Sequence, residues 1–198
     1  MTKELKRSRG RPRQFDPEHA VAIAQDLFHS RGYDDVTVAD VTDALGIKTP
    51  SFYSAFGSKA GLFSRVIERY GDHGAVPLAD LLRSDRSVSE ALAAVLEDAA
   101  GRYAADPATP GCIVLEGCSS NDPEARTSAR AAHAAAERMI RDYIADRHPA
   151  EADALTEYVS TVMLGLSAKA RLGQSSECLL SSARLASLAL TRVLSEQP

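Results

Sequence analysis

Apolar residues recur every three or four positions along nearly the whole 198-residue chain, and no stretch alternates β-branched with polar residues. That period belongs to the α-helix and excludes sheet-built folds. The spacing predicts an all-α chain of about nine helices, with no repeat of fixed length. Three cysteines in 198 residues exclude a disulfide-stapled scaffold, and a chain this long buries a core without staples.

Helix starts are marked locally. Asp16-Pro17 opens the first helix, whose apolar face is Ala20, Ile23, Ala24, Leu27 and Phe28, and Gly32 ends it. Thr37 and Asp40 resemble a capping box for a short second helix that Gly46 breaks. Thr49-Pro50 starts a third helix, closed by Gly57, and Ser58 caps a fourth that runs to Tyr70. Gly71 to Pro77 reads as a break, then Leu78 to Leu82 as one short helix. Ser87 and Glu90 form a second capping box, for a helix to about Ala105. Gly111 to Ser120 reads as a short apolar helix or turn. Asp122-Pro123 caps a long Ala-rich helix ending near His148-Pro149. Two further helices follow, one striped by Leu155, Tyr158, Val159, Val162, Met163 and Leu166, the last from about Ser176 to Leu194.

Charge is unevenly placed. The formal net charge is −4, yet residues 1–14 carry six basic side chains against Glu4 alone. A positive end on an acidic body suits a partner with dense negative charge; a solvated tail fits as well. This end has no apolar core, so it does not read as a signal peptide, and no apolar run is expected to span a membrane. A soluble cytoplasmic protein without a membrane partner is expected.

The stretch from Thr37 to Phe63 is the most informative. Two short helices about a Gly-containing turn fit a helix-turn-helix, with Gly46 taking the left-handed conformation at the turn. Val38, Val41, Leu45, Ile47, Phe52 and Phe56 can fix the angle between the helices. The outer face of the second then carries Lys48, Thr49, Ser51, Tyr53 and Ser54, donors suited to phosphates and base edges. Lys59 follows at the next helix start, where N–H groups also favour a phosphate. An ordinary helical hairpin with a polar face shares this pattern.

Residues 37–63, TVADVTDALGIKTPSFYSAFGSKAGLF, resemble the signature of the TetR family of bacterial transcriptional regulators. The resemblance rests on Thr37, Asp40-Val41, Ala44, Gly46-Ile47, Tyr53, Phe56, Ser58-Lys59 and Leu62-Phe63, with Ala24, Leu27-Phe28 and Gly32-Tyr33 upstream. It covers roughly residues 15–70 and implies a three-helix DNA-binding domain there. A helical effector-binding and dimerisation domain over 71–198 and a basic flexible arm over 1–14 complete the implied organisation. The resemblance implies recognition contacts from Lys48, Thr49, Pro50 and Ser51, and phosphate contacts from Thr37, Tyr53, Ser54 and Lys59. Pro50 and Ala55 depart from the family pattern, where Gly, and an aromatic residue or His, are common. Beside a helix-turn-helix, Arg9-Gly-Arg-Pro-Arg13 resembles an AT-hook core, placing Arg9, Arg11 and Arg13 in a narrow A·T-rich minor groove.

Residues 78–198 carry no strong chemical motif. The last helix is apolar on most sides and so needs two surfaces to bury it: the monomer and a twin subunit, or the core of a single monomer. Leu155, Val162, Leu166, Leu179, Ala183, Ala186, Leu190 and Val193 are the expected interface, and the family implies the same homodimer. Polar handles among apolar neighbours nominate Tyr103, Cys112, Glu116, His133, Met139, Tyr143, Tyr158 and Met163 for an effector pocket. Gly111-Cys112 resembles electrophile-sensing members; a buried inert thiol is the commoner use of cysteine. His133 and Glu137 stand at i,i+4, but no third ligand sits at a telling spacing, so no metal and no cofactor are expected. The expected function is a homodimeric DNA-binding regulator, a repressor of a roughly palindromic operator released by a small molecule or electrophile. An architectural DNA-binding protein without an effector is the alternative, and no catalytic motif supports an enzyme.

Overall fold

The computed structural model describes residues 16–195, so the expected groove contacts of Arg9, Arg11 and Arg13 lie outside the described residues. Regular structure among the described residues is helical throughout, in ten segments. A head is made of α1 (Pro17–Arg31), α2 (Val38–Leu45), α3 (Thr49–Phe56) and α4 (Lys59–His73). A body follows in α5 (Leu78–Leu81), α6 (Val88–Tyr103), α7 (Ile113–Gly117), α8 (Pro123–Ala145), α9 (Ala152–Arg171) and α10 (Ser176–Ser195). The expected helices, about nine, correspond to these ten segments, with the stretch read as a short helix or turn being helical as α7. α8 stops at Ala145, before the expected His148-Pro149, and α4 continues past Tyr70 to His73.

α1, α2, α4, α6 and α8 each begin where a side chain satisfies free N–H groups. The Asp16 carboxylate accepts from Glu18 and His19, and Asp122 accepts from Glu124 and Ala125. Reciprocal capping boxes join Thr37 to Asp40 and Ser87 to Glu90. Ser58 accepts from the Gly61 N–H at 2.8 Å. Gly46 is left-handed at φ 63°, which turns α2 sharply into α3.

The head is sealed to the body by aromatic packing. Phe28, Tyr33 and Phe63 are fully buried, with ring centroids 4.7–5.5 Å apart. α7 crosses above them at Gly117, where an added Cβ would lie 2.9 Å from the Phe63 ring. In the body, Leu92, Val95, Leu96 and Ala99 bury α6 against α9 and α10. By length and composition α10 could cross a membrane, which corrects the expectation that no segment is apolar enough. Here Leu179, Ala183 and Leu190 of α10 are buried in the protein's own core.

His29 links head and body a second time. It is buried, stands edge-on to Tyr70 at 5.6 Å, and its Nε2–H tautomer donates to the Gly111 carbonyl at 3.1 Å. Burial pulls its pKa below the ordinary 6.5. The unfolded chain therefore binds this proton more readily, so the contribution of neutral His29 is complete above pH 6.5 and declines below it. We expect the melting temperature to fall between pH 7.5 and 5.5, about neutral to mildly acidic, and the fall to shrink in His29→Gln. Equal pH dependence in both proteins would contradict this.

Candidate nucleic-acid interface and effector cavity

α3 lies across the end of the head, with Phe52 and Phe56 buried beneath it. Val41 is buried with them, while Val38, Leu45 and Ile47 are half-buried. This packing turns the other face outward. Lys48, Thr49, Pro50, Ser51, Tyr53 and Ser54 are all exposed. Tyr53 is 49% exposed, unusual for an aromatic ring, and leans edge-on against Phe52 at 5.3 Å. The surface so formed offers a cation, three hydroxyls of Ser and Thr, and a phenol, with Pro50 at the first turn. Such groups reach phosphates and base edges alike.

Two expected phosphate contacts are otherwise engaged. The Thr37 hydroxyl and amide both donate to the Asp40 carboxylate, the amide at 2.7 Å. These bonds and Arg31 at 3.0 Å hold the Asp40 carboxyl well below its ordinary range. Lys59 is turned inward: its ammonium donates to the carbonyls of Tyr33 at 3.0 Å and Val36 at 2.8 Å. It also lies 4.0 Å from the centre of the Tyr33 ring. Partial burial lowers its pKa. Lys59 thus pins the loop between α1 and α2, a role that sequence spacing does not reveal.

The body holds a cavity of about 390 Å³ between α4, α5, α6, α7, α8 and α9. Of the expected pocket residues, Tyr103, Cys112, His133, Met139 and Met163 line it. Three do not. Glu116 faces a second cavity of about 280 Å³, beside Arg171 and Asp34. Tyr143 points away and donates to the Arg83 carbonyl, because that side of α8 covers the loop before α6. Tyr158 donates to the Ala186 carbonyl, since its side of α9 meets α10. Tyr70, Glu137 and Ser160 were not expected in the wall and are part of it.

Polar groups gather at two places in this apolar cavity. The buried Cys112 thiol shares the wall with the Tyr70 and Tyr103 hydroxyls. Burial raises the pKa of both phenols, so they stay protonated. The second place is Glu137, whose Oε1 accepts from Ser160 at 2.6 Å and lies 3.2 Å from His133 Nε2. All three cysteines are free. No group of three or more metal-ligating side chains occurs among the described residues.

The expected dimer seam also needs correction. Leu155, Leu166, Leu179, Ala183 and Leu190 are buried within the monomer, where they fill the space between α6, α9 and α10. Val162 and Ala186 are half-buried, and only Val193 is exposed. The apolar residues facing outward are instead Leu164 and Leu172 on the α9 side and Leu185, Leu188 and Val193 on α10. Leu172, Leu185 and Leu188 are each at least 66% exposed.

Known proteins share this organisation. The sequence pattern of bacterial regulatory proteins of the tetR family matches residues 21–66. The HTH-type transcriptional repressor BdcR of Escherichia coli (strain K12) is 54% identical over 196 residues, spanning 99% of this chain and 100% of that one. The HTH-type transcriptional repressor ComR of the same organism is 33% identical over 190 residues, 90% of each chain. A cysteine mutant of the TetR family transcriptional regulator CifR, solved with 26-bp double-strand operator DNA, superimposes with a TM-score of 0.80. It is 33% identical, over 90% of this chain and 99% of that one.

The exposed α3 surface makes a specific expectation. Lys48→Ala with Tyr53→Phe should weaken binding to duplex DNA and flatten its salt dependence by about one unit of slope, since Lys48 is the one cation removed. Lys59→Ala should instead lower stability by about 1–2 kcal/mol through the unsatisfied carbonyls, read by urea denaturation. An unchanged salt slope in the first variant, or unchanged stability in the second, would refute the respective role.

The helix-turn-helix, its position in an all-helical chain and the extent of these matches make the protein a member of the TetR family of bacterial regulatory proteins, a transcriptional regulator and not an enzyme.

Proposed function

We propose that the protein is a repressor that binds a roughly palindromic operator as a homodimer and leaves it when a small molecule fills the 390 Å³ cavity. The observation that carries this reading is the outward face of α3, where residues 48–51, Tyr53 and Ser54 are exposed on a buried aromatic base. We assign residues 15–70 to DNA binding, 71–198 to effector binding and dimerisation, and 1–14 to a basic arm. Names of the relatives support repression: BdcR and ComR are transcriptional repressors. A DNA-binding role in a bacterial regulator supports a cytoplasmic location.

Base contacts fall to Lys48, Thr49, Pro50 and Ser51, and phosphate contacts to Tyr53 and Ser54, with Arg9, Arg11 and Arg13 in the adjacent minor groove. Dimerisation covers Leu164, Leu172, Leu185, Leu188 and Val193, whose exposure would otherwise be costly. The effector acts through α4. Ile67, Tyr70 and Gly71 line the cavity, and the same helix begins one short turn after α3. A ligand that favours one position of α4 favours one spacing of the two recognition helices. Cys112 in the wall gives thiol-reactive electrophiles a covalent route to the same place. The cavity also weighs against an architectural role, which needs none.

Sedimentation of the full chain should show a dimer. Leu185→Glu with Leu188→Glu should give folded monomers and at least a hundredfold weaker operator binding, the order expected when two half-sites no longer act together. A variant that still sediments as a dimer would move the interface elsewhere.

A further inference from the structure

The effector cavity contains one fixed carboxylate and no fixed cation. Its lining includes Glu137 but neither Lys nor Arg. Arg102 and Arg171, which lie near Tyr70, are directed elsewhere: Arg102 pairs with Asp98 on its own helix, and Arg171 lines the second cavity. The remaining polar groups, Tyr70, Tyr103, Cys112 and Ser160, are hydroxyls and a thiol. Ser160 is itself buried and donates to Glu137, which fixes the position of the carboxylate. His133 adds a ring nitrogen at 3.2 Å. Both His133 and Glu137 keep about a third of their side-chain surface open, 29% and 33%, so an occupant can reach them.

A carboxylate in apolar surroundings gains most from a partner that brings both a hydrogen bond and opposite charge. An anionic ligand would meet the Glu137 charge with no Lys or Arg in the lining to offset it. From this we infer that the cavity selects a lipophilic organic cation, an amine whose ammonium pairs with Glu137 while its apolar body lies against Ile67, Val76, Leu115 and Met163. The inference rests on the cavity being the effector site and adds the charge and chemical class of the effector. The cavity volume is at the small end of the range for small-molecule sites, roughly 300–1,000 Å³, which suits a single-ring amine.

Three probes of one shape and different charge test it: phenethylamine, phenethyl alcohol and phenylacetate, titrated calorimetrically into the full-length protein. The amine should bind about tenfold tighter than the alcohol, the increment of a charge-assisted hydrogen bond, and phenylacetate weakest. Glu137→Gln keeps an acceptor for Ser160 and should bring the amine down to the alcohol's affinity. Glu137→Asp keeps the charge and should retain part of the preference. Equal binding of amine and alcohol, tightest binding of phenylacetate, or a preference unchanged in Glu137→Gln would overturn the inference. An alcohol that binds with no preference for the amine sinks this inference alone. Failure of all three to bind would also remove the cavity as the effector site.

Discussion

The loop from Tyr33 to Val36 carries the connection between head and body. It is held from opposite sides by groups that cannot leave without exposing unpaired polar atoms. Lys59 at the start of α4 binds two of its carbonyls. From the other side, the Tyr33 hydroxyl donates to Asp122 at 2.7 Å, and Asp34 receives Ser120 and the backbone and side chain of Asn121. Asp122 is also the cap of α8, so one carboxylate both starts the longest helix of the body and receives the head. A polar network of this kind, part-buried and part-exposed, is stable when every member is satisfied. The aromatic cluster of Phe28, Tyr33 and Phe63 supplies the apolar burial beneath it.

With that loop held, α4 becomes the element able to carry a change from body to head. Its first turn borders α3 across Gly57 and Ser58, its middle gives Phe63 to the aromatic cluster, and its last turn gives Tyr70 and Gly71 to the cavity wall. Tyr70 also touches His29 of α1, which is bonded to Gly111, the neighbour of Cys112. Any occupant that pressed on Tyr70 or Cys112 would bear on α1 and α4 together. These two helices pack on each other, so they transmit displacement as one rigid piece more readily than as separate parts.

Local features were legible in the sequence, and features made by the crossing of distant helices were not. Asp16, Thr37, Ser58, Ser87 and Asp122 cap their helices as read, because a cap depends on residues two or three positions away. The outward face of α3 was also readable, since Phe52 and Phe56 give the helix an unambiguous inner side. α10 offered no such phase: it is apolar nearly all round, so its need for two surfaces could be read, but not which leucines meet which surface. Lys59 faces inward because carbonyls from 23 and 26 residues away lie beside it. Glu137 and Ser160 meet only because α8 crosses α9, and the same crossing turns Tyr143 and Tyr158 to other tasks.

The bonds of Asp34 and Tyr33 to residues 120–122 bear on how such a protein can be recombined. Exchanging reading heads between relatives is attractive, because the head is continuous in sequence and ends near α5. A transplant cut there would carry Tyr33 and Asp34 away from the Ser120-Asn121-Asp122 segment that receives them. The unit that moves intact is therefore discontinuous: the first four helices together with the short segment entering α8. A graft that includes both pieces preserves the seam; one that follows the linear boundary leaves a hinge where this protein has a joint.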